Sequence, residues 1–186
     1  MTLQELESRA KRQRMADDYY PTPSDAIVPI LRHLPPSRVI LDPCAGNGDL
    51  LRHFPGADTA YGIEKNEERA FRNGWLCADA LAIEWPDADL CVLNPPFTSS
   101  QSFVEKALSW KREFDSTCES SRTVAALVRL TFLESAERKS LHQTNPADVY
   151  VLSRRPRFRS DTIGTDSVTA AWFVWGPGRG GRWCVL

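Results

Sequence analysis

Three acids and one amide, each at or just beyond the end of a short apolar run, are the residues best placed to do chemistry. They are Asp42 after "RVIL", Glu64 after "YGI", Asp79 in "CADAL" and Asn94 after "CVL". Asp42 opens the stretch "DPCAGNGDL", in which Gly46 and Gly48 admit a tight turn and close approach of a ligand to the backbone. Glu64 occupies the position at which nucleoside-binding sheets use an acid to accept from ribose hydroxyls. Asp79 can accept from the exocyclic amine of a bound ring, with Ile63 or Leu81 against the ring face. In Leu93-Asn94-Pro95-Pro96-Phe97, two prolines without amide hydrogens hold a stiff extended turn. The Asn94 carbonyl and one proline carbonyl can then accept both hydrogens of an amino group and orient its lone pair. Phe97 can stack on the flat ring that carries this amine.

The pattern excludes two common alternatives. No third glycine completes a dinucleotide fingerprint, and no Gly-Lys-Ser/Thr follows to make a phosphate loop. An acidic rim repels pyrophosphate but suits a ligand with a sulfonium or ammonium charge. An amine held beside a sulfonium methyl needs no strong base, because its proton becomes acidic as the new bond forms. The gain comes from positioning and from electrostatics around the nitrogen. A nucleobase reaches such a pocket only if it is unpaired or flipped out of a duplex.

The elements that must position these residues alternate. Strand-like runs occur at "RVILD", "DTAYGIE", "WLCADA", "ADLCVLN" and "TVAALVRL". Helices fit between them at about Asp49 to Phe54, Glu67 to Asn73, Ser100 to Phe114 and Thr131 to Lys139. A polar helix over Leu3 to Met15 precedes them, and Thr22-Pro23-Ser24-Asp25 has the form of a helix start with Thr22 as the cap. Short, nearly continuous apolar strands separated by helices imply a mostly parallel sheet covered on both faces, an α/β Rossmann-like architecture. "DVYVLS" and "TAAWFVWG" have no helix between them and read as an antiparallel pair at one sheet edge. Trp172 and Trp175 in the latter read as packing residues.

Length bounds the rest. The 186 residues fit a single domain spanning 1–186, with a basic N-terminal helix over 1–15 and no separate target-recognition domain. No run is long and apolar enough for a membrane span, and the N-terminus has no secretory signal pattern, so a cytoplasmic location is expected. Five scattered cysteines without a CxxC pair indicate neither a disulfide scaffold nor a zinc site. Cys77 and Cys91 read as small core residues. The net charge is −1, but the charges are segregated. Ten acids against four Lys/Arg lie between Asp42 and Asp89, whereas Arg154, Arg155, Arg157, Arg159, Arg179 and Arg182 crowd the end. With Arg9, Lys11, Arg12 and Arg14, these basic ends suit a polyanion whose backbone avoids the acidic centre. The segment "SRRPRF" is the candidate phosphate contact, with an exposed arginine-rich edge as the alternative.

In order, "YYPTP", "LDPCAGNGDL", "YGIE", "ADAL" and "LNPPF" resemble the S-adenosylmethionine-dependent DNA adenine-N6 methyltransferases, in particular small phage-type members of the amino-methyltransferase group. The resemblance covers about residues 19 to 97, and more loosely "RRPRF" and the strand after it. It implies S-adenosylmethionine as cofactor and DNA as partner. Tyr20 and Thr22 would hold the methionine end, with Asp42, Pro43, Gly46 and Gly48 lining it and Asn94 adjoining it. Glu64 would bind the ribose, and Asp79, Ile63 and Leu81 the adenine. Asn94, Pro95, Pro96 and Phe97 would hold the target amine and ring. Without a recognition domain, sequence specificity would be loop-borne, absent or supplied by a protein partner. Alternatives left open are an RNA adenine-N6 or guanine-N2 methyltransferase, a protein-glutamine methyltransferase and an inactive binding protein. The glutamine enzymes resemble Asn-Pro-Pro-Tyr, whereas this chain has Phe97.

Overall fold

The computed structural model describes residues 19–115, 122–158 and 169–186. The helix expected over Leu3 to Met15 and the residues Cys118 and Arg159 lie outside the described residues. Among the described residues, eight strands form one sheet: β1 (Val39–Asp42), β2 (Thr59–Glu64), β3 (Leu76–Cys77), β4 (Leu90–Leu93), β5 (Thr123–Arg129), β6 (Asp148–Val151), β7 (Ala170–Trp175) and β8 (Trp183–Val185). Their order is β3-β2-β1-β4-β5-β7-β6-β8. Strands β1 to β5 run parallel, and β7 inserts antiparallel between β5 and β6. The strand order reverses between β1 and β4, which is where such sheets open a ligand crevice.

Continuous apolar strands arise because both sheet faces are covered. Along β5, Val124, Ala126 and Val128 join Phe103, Val104, Ala107 and Leu108 of the helix Ser100–Asp115 on one face. Ala125 and Leu127 join Ala26, Ile27 and Ile30 of α1 (Ser24–Leu31) on the other. Trp172 is 1% exposed, and its indole N–H donates to the Ala26 carbonyl at 2.7 Å, tying α1 to β7. Trp175 is likewise buried and donates to the Asn145 carbonyl. Both tryptophans are packing residues, as expected. Arg122 is buried at the start of β5, donates to the Trp110 carbonyl at 2.8 Å and pairs with Asp87.

Two helices match the sequence pattern closely: α2 (Glu67–Asn73), capped by Asn66 and ended by Gly74, and α3 (Ser100–Asp115). Other elements differ. The helix expected from Asp49 is only a 3-10 turn at Leu51–His53, because Pro55 follows within one turn. The helix expected over Thr131 to Lys139 splits into a 3-10 turn at Leu130–Leu133 and α4 (Lys139–Thr144), separated by Ser135 with φ 138°. The cap of α1 is Pro23, and Thr22 makes no cap bond. The "WLCADA" strand shrinks to two residues, and Cys77 there is exposed, whereas Cys91 is a core residue. The antiparallel pair β6 and β7 does not form the sheet edge, since β8 adds outside β6 in parallel. Among the described residues, no helix is long and apolar enough to cross a membrane.

Trp75 joins the glycine-bearing loop after β1 to strand β2. A Cβ built on Gly62 would lie 2.4 Å from the Trp75 ring. Gly62→Ala is therefore expected to cost about 1–3 kcal/mol of stability through displacement of that ring, read from a urea unfolding midpoint. An unchanged midpoint would mean that Trp75 moves aside freely.

Candidate active site

A cavity of about 680 Å³ lies beyond the ends of β1, β2 and β4. Its walls include Tyr20, Thr22, Asp42, Pro43, Ile63, Glu64, Asp79, Leu81, Asn94 and Pro96, all expected site residues. The chain thus brings together, from segments far apart in sequence, most of the groups singled out by spacing. Gly46 and Gly48 lie behind this wall with φ of 52° and 80°, values that side-chain-bearing residues rarely adopt. They fold the β1–β2 loop back onto the end of β2. The Ala45 N–H donates to the Ile63 carbonyl at 3.0 Å, and the Gly46 N–H donates to Glu64 Oε2 at 3.0 Å.

The three acids are held differently. Asp42 is 1% exposed and accepts one bond, from the Cys44 N–H at 2.9 Å. Burial pushes its carboxyl up to about 8, against that one stabilising bond and with Glu64 and Asp49 adding repulsion. Glu64 is better compensated: Oε1 accepts from the Asn66 N–H at 2.7 Å and from Arg69 Nη2 at 3.1 Å. Among the described residues Oε2 accepts only from the Gly46 N–H, which leaves it acceptor capacity in a side chain that lines the cavity. Asp79 is more exposed. Lys65 at 3.0 Å, together with the Leu81 N–H, holds its carboxyl below the usual carboxylate range.

Asn94 is fixed by its amide nitrogen. Nδ2 donates to Thr22 Oγ1 at 2.9 Å and to the Tyr20 carbonyl at 3.4 Å. With both N–H groups directed at the segment before α1, Oδ1 is the end of the amide that accepts nothing among the described residues. The absence of Thr22 from the α1 cap has its reason here, since the hydroxyl orients Asn94 instead. Pro95 is buried and Pro96 lines the cavity, so the diproline is a rigid mount.

Phe97 does not line this cavity. Its ring packs 5.0 Å from Tyr20 and 6.1 Å edge-on to Phe158, with the Arg129 guanidinium 4.3 Å over the ring. Phe158 is 3% exposed and anchors the segment carrying Arg154, Arg155 and Arg157, which are exposed beside this aromatic cluster. The wall residues that sequence spacing missed include Tyr19, Arg69 and Phe103. Tyr19 packs on Gly46, under the Arg69 guanidinium at 4.4 Å, and its buried hydroxyl has no hydrogen-bond partner among the described residues. The "YYP" doublet pointed to Tyr20 alone, whereas both rings line the cavity. Thr98 and Ser99 also line the cavity, just before α3.

No protein-family model matches the sequence, and no curated protein matches it. Solved structures do. The chain superposes on a Vibrio vulnificus protein described as a modification subunit of a type I restriction enzyme, with TM-score 0.60 and 16% identity over 97% of this chain and 49% of that one. A Listeria monocytogenes protein described as a class I S-adenosylmethionine-dependent methyltransferase gives TM-score 0.62 and 13% identity over 99% and 71%. A Pyrococcus horikoshii protein described as an RNA methyltransferase gives 0.60 and 16% over 94% and 98%. This chain spans about half the length of the Vibrio chain. The fold is the Rossmann-like class I methyltransferase fold, the α/β plan being what the sequence pattern implied and the methyltransferase form what the resemblance implied.

The raised Asp42 carboxyl makes stability depend on pH with a definite sign. An unfolded aspartate titrates near ~4, whereas the folded value lies near about 8. The contribution of Asp42 is therefore fully present below the unfolded value and is lost as pH rises through the folded one. Asp42→Asn should abolish this part of the pH dependence. It should also raise the thermal midpoint of the ligand-free protein at alkaline pH by at least about 3 °C. Calorimetry of both proteins from acid to mildly alkaline pH measures the difference, and parallel curves would contradict the burial argument.

Proposed function

We propose that this chain transfers a methyl group from S-adenosylmethionine to the exocyclic N6 amine of an adenine in DNA. The observation that carries the reading is the Asn94 amide, fixed through Nδ2 with Oδ1 unengaged among the described residues, in the wall of a cavity that Asp42, Glu64 and Asp79 also line. The cavity chemistry fits the cofactor. The under-compensated Asp42 suits an ammonium or sulfonium charge, Glu64 Oε2 suits ribose hydroxyls, and Asp79 with Ile63 and Leu81 suits an adenine. A pyrophosphate would meet three acidic side chains and gain little there.

When bound, S-adenosylmethionine supplies a methyl group activated by its sulfonium. The chain supplies orientation and charge. Asn94 Oδ1 and a carbonyl of the diproline accept the two amine hydrogens, which aims the nitrogen lone pair and stabilises the positive charge that develops on it. No carboxylate is required as a strong base, and the departing proton passes to water. Phe97 and its aromatic neighbours offer a stacking surface for a flipped or unpaired base. Arg154, Arg155 and Arg157 beside that surface supply phosphate contacts that carry no sequence information.

The choice of DNA rests on the order and content of the motifs. RNA adenine N6 and guanine N2 are acceptors to be tested beside it, and sequence recognition falls to short loops or to a protein partner. The test is transfer of labelled methyl groups to unmethylated duplex DNA, single-stranded DNA and RNA in parallel, followed by identification of the modified nucleoside. N6-methyladenine in DNA is the expected product. A different methylated nucleoside would reassign the acceptor, and failure to bind S-adenosylmethionine would defeat the reading. Asn94→Ala should keep cofactor binding while transfer falls about 100-fold or more, and undiminished transfer would remove Asn94 from its role.

A further inference from the structure

Arg129 closes β5, is exposed, and places its guanidinium 4.3 Å over the Phe97 ring. Among the described residues its side chain has no carboxylate partner and donates no hydrogen bond. This sets it apart from Arg69 and Arg122, whose guanidinium groups pair with Glu64 and Asp87. The cation–π contact is what holds it, and such a contact at an exposed site is weak. The guanidinium is therefore easily displaced, at the ring that the diproline turn mounts beside the Asn94 amide. Phe158 packs edge-on to the same ring and brings in the segment bearing Arg154 and Arg155.

We infer that Arg129 is a positioning residue for the target nucleotide: it covers Phe97 in the nucleic-acid-free protein and turns to the phosphate beside the target base when that base stacks on the ring. A guanidinium and a nucleobase are both flat, and both are attracted to an aromatic face, so one can replace the other there. The displaced guanidinium keeps its full set of N–H donors in a fork that matches phosphate oxygens. Exchange of a weak exposed contact for charge-assisted bonds favours the open arrangement only when nucleic acid is present. This inference rests on the proposed nucleobase methyl transfer.

The test uses the full chain with Arg129→Ala and Arg129→Lys. Fluorescein-labelled single-stranded DNA and RNA fragments of mixed sequence report binding by anisotropy from about 50 to 200 mM salt. Methyl transfer to the same fragments gives kcat and KM. For Arg129→Ala, the slope of log affinity against log salt should fall by about one. KM for the nucleic acid should rise about tenfold, with S-adenosylmethionine affinity unchanged. Arg129→Lys keeps the charge and should restore the salt slope, which a merely structural role would not predict. If the wild-type protein binds and methylates a fragment but Arg129→Ala keeps its slope and KM, the role of Arg129 is overturned and the proposed function stands. The role is overturned in the same way if Arg129→Lys fails to restore the slope. If the wild-type protein binds S-adenosylmethionine but neither nucleic acid, the nucleobase reading falls and this inference with it.

Discussion

A strand covered on both faces has no place for a polar side chain except at its end, and the whole site follows from that constraint. All four residues of β4 are buried, as are six of the seven in β5. The first polar groups appear where the chain leaves the sheet: Asp42, Glu64 and Asn94. Parallel pairing of β1 with β2 and with β4 sends those three ends to one edge. An antiparallel arrangement would have put neighbouring ends on opposite edges and separated the groups that share the cavity.

The acids at that edge illustrate how partners, more than residue type, set chemistry. Glu64 accepts from two backbone N–H groups and an arginine, whereas Asp42 is more deeply buried and accepts from one N–H. The fold leaves Asp42 under-compensated, and an uncompensated buried carboxyl is where an incoming cation gains most.

Long-range contacts complete the other side of the site. Thr22 orients Asn94 across 72 residues, Trp172 pins α1 so that the segment carrying Thr22 stays in place, and Phe158 brings the arginine-rich segment to Phe97. These are single packing or hydrogen-bonding contacts between elements remote in sequence. The β5–β7 antiparallel pairing shares this work, since it carries both Arg129 and Trp172.

By itself the sequence determined most of the strand runs, α2 and α3, the alternating α/β plan and the placement of Asp42, Glu64 and Asn94 at strand ends. Apolar periodicity, glycine and proline are local signals, and strand-end polar residues are their direct corollary. Tertiary structure decided the rest. It shortened the helix before Pro55, moved the one after Ser135, added β8 at the edge, and turned Tyr19 inward beside Tyr20. It also took Thr22 from the cap of α1 and gave it to Asn94, and set Arg129 over a ring that spacing alone had assigned to the ligand. Each of these depends on which remote side chain competes for the same hydrogen bond or the same aromatic face, and that competition exists only once the chain has folded.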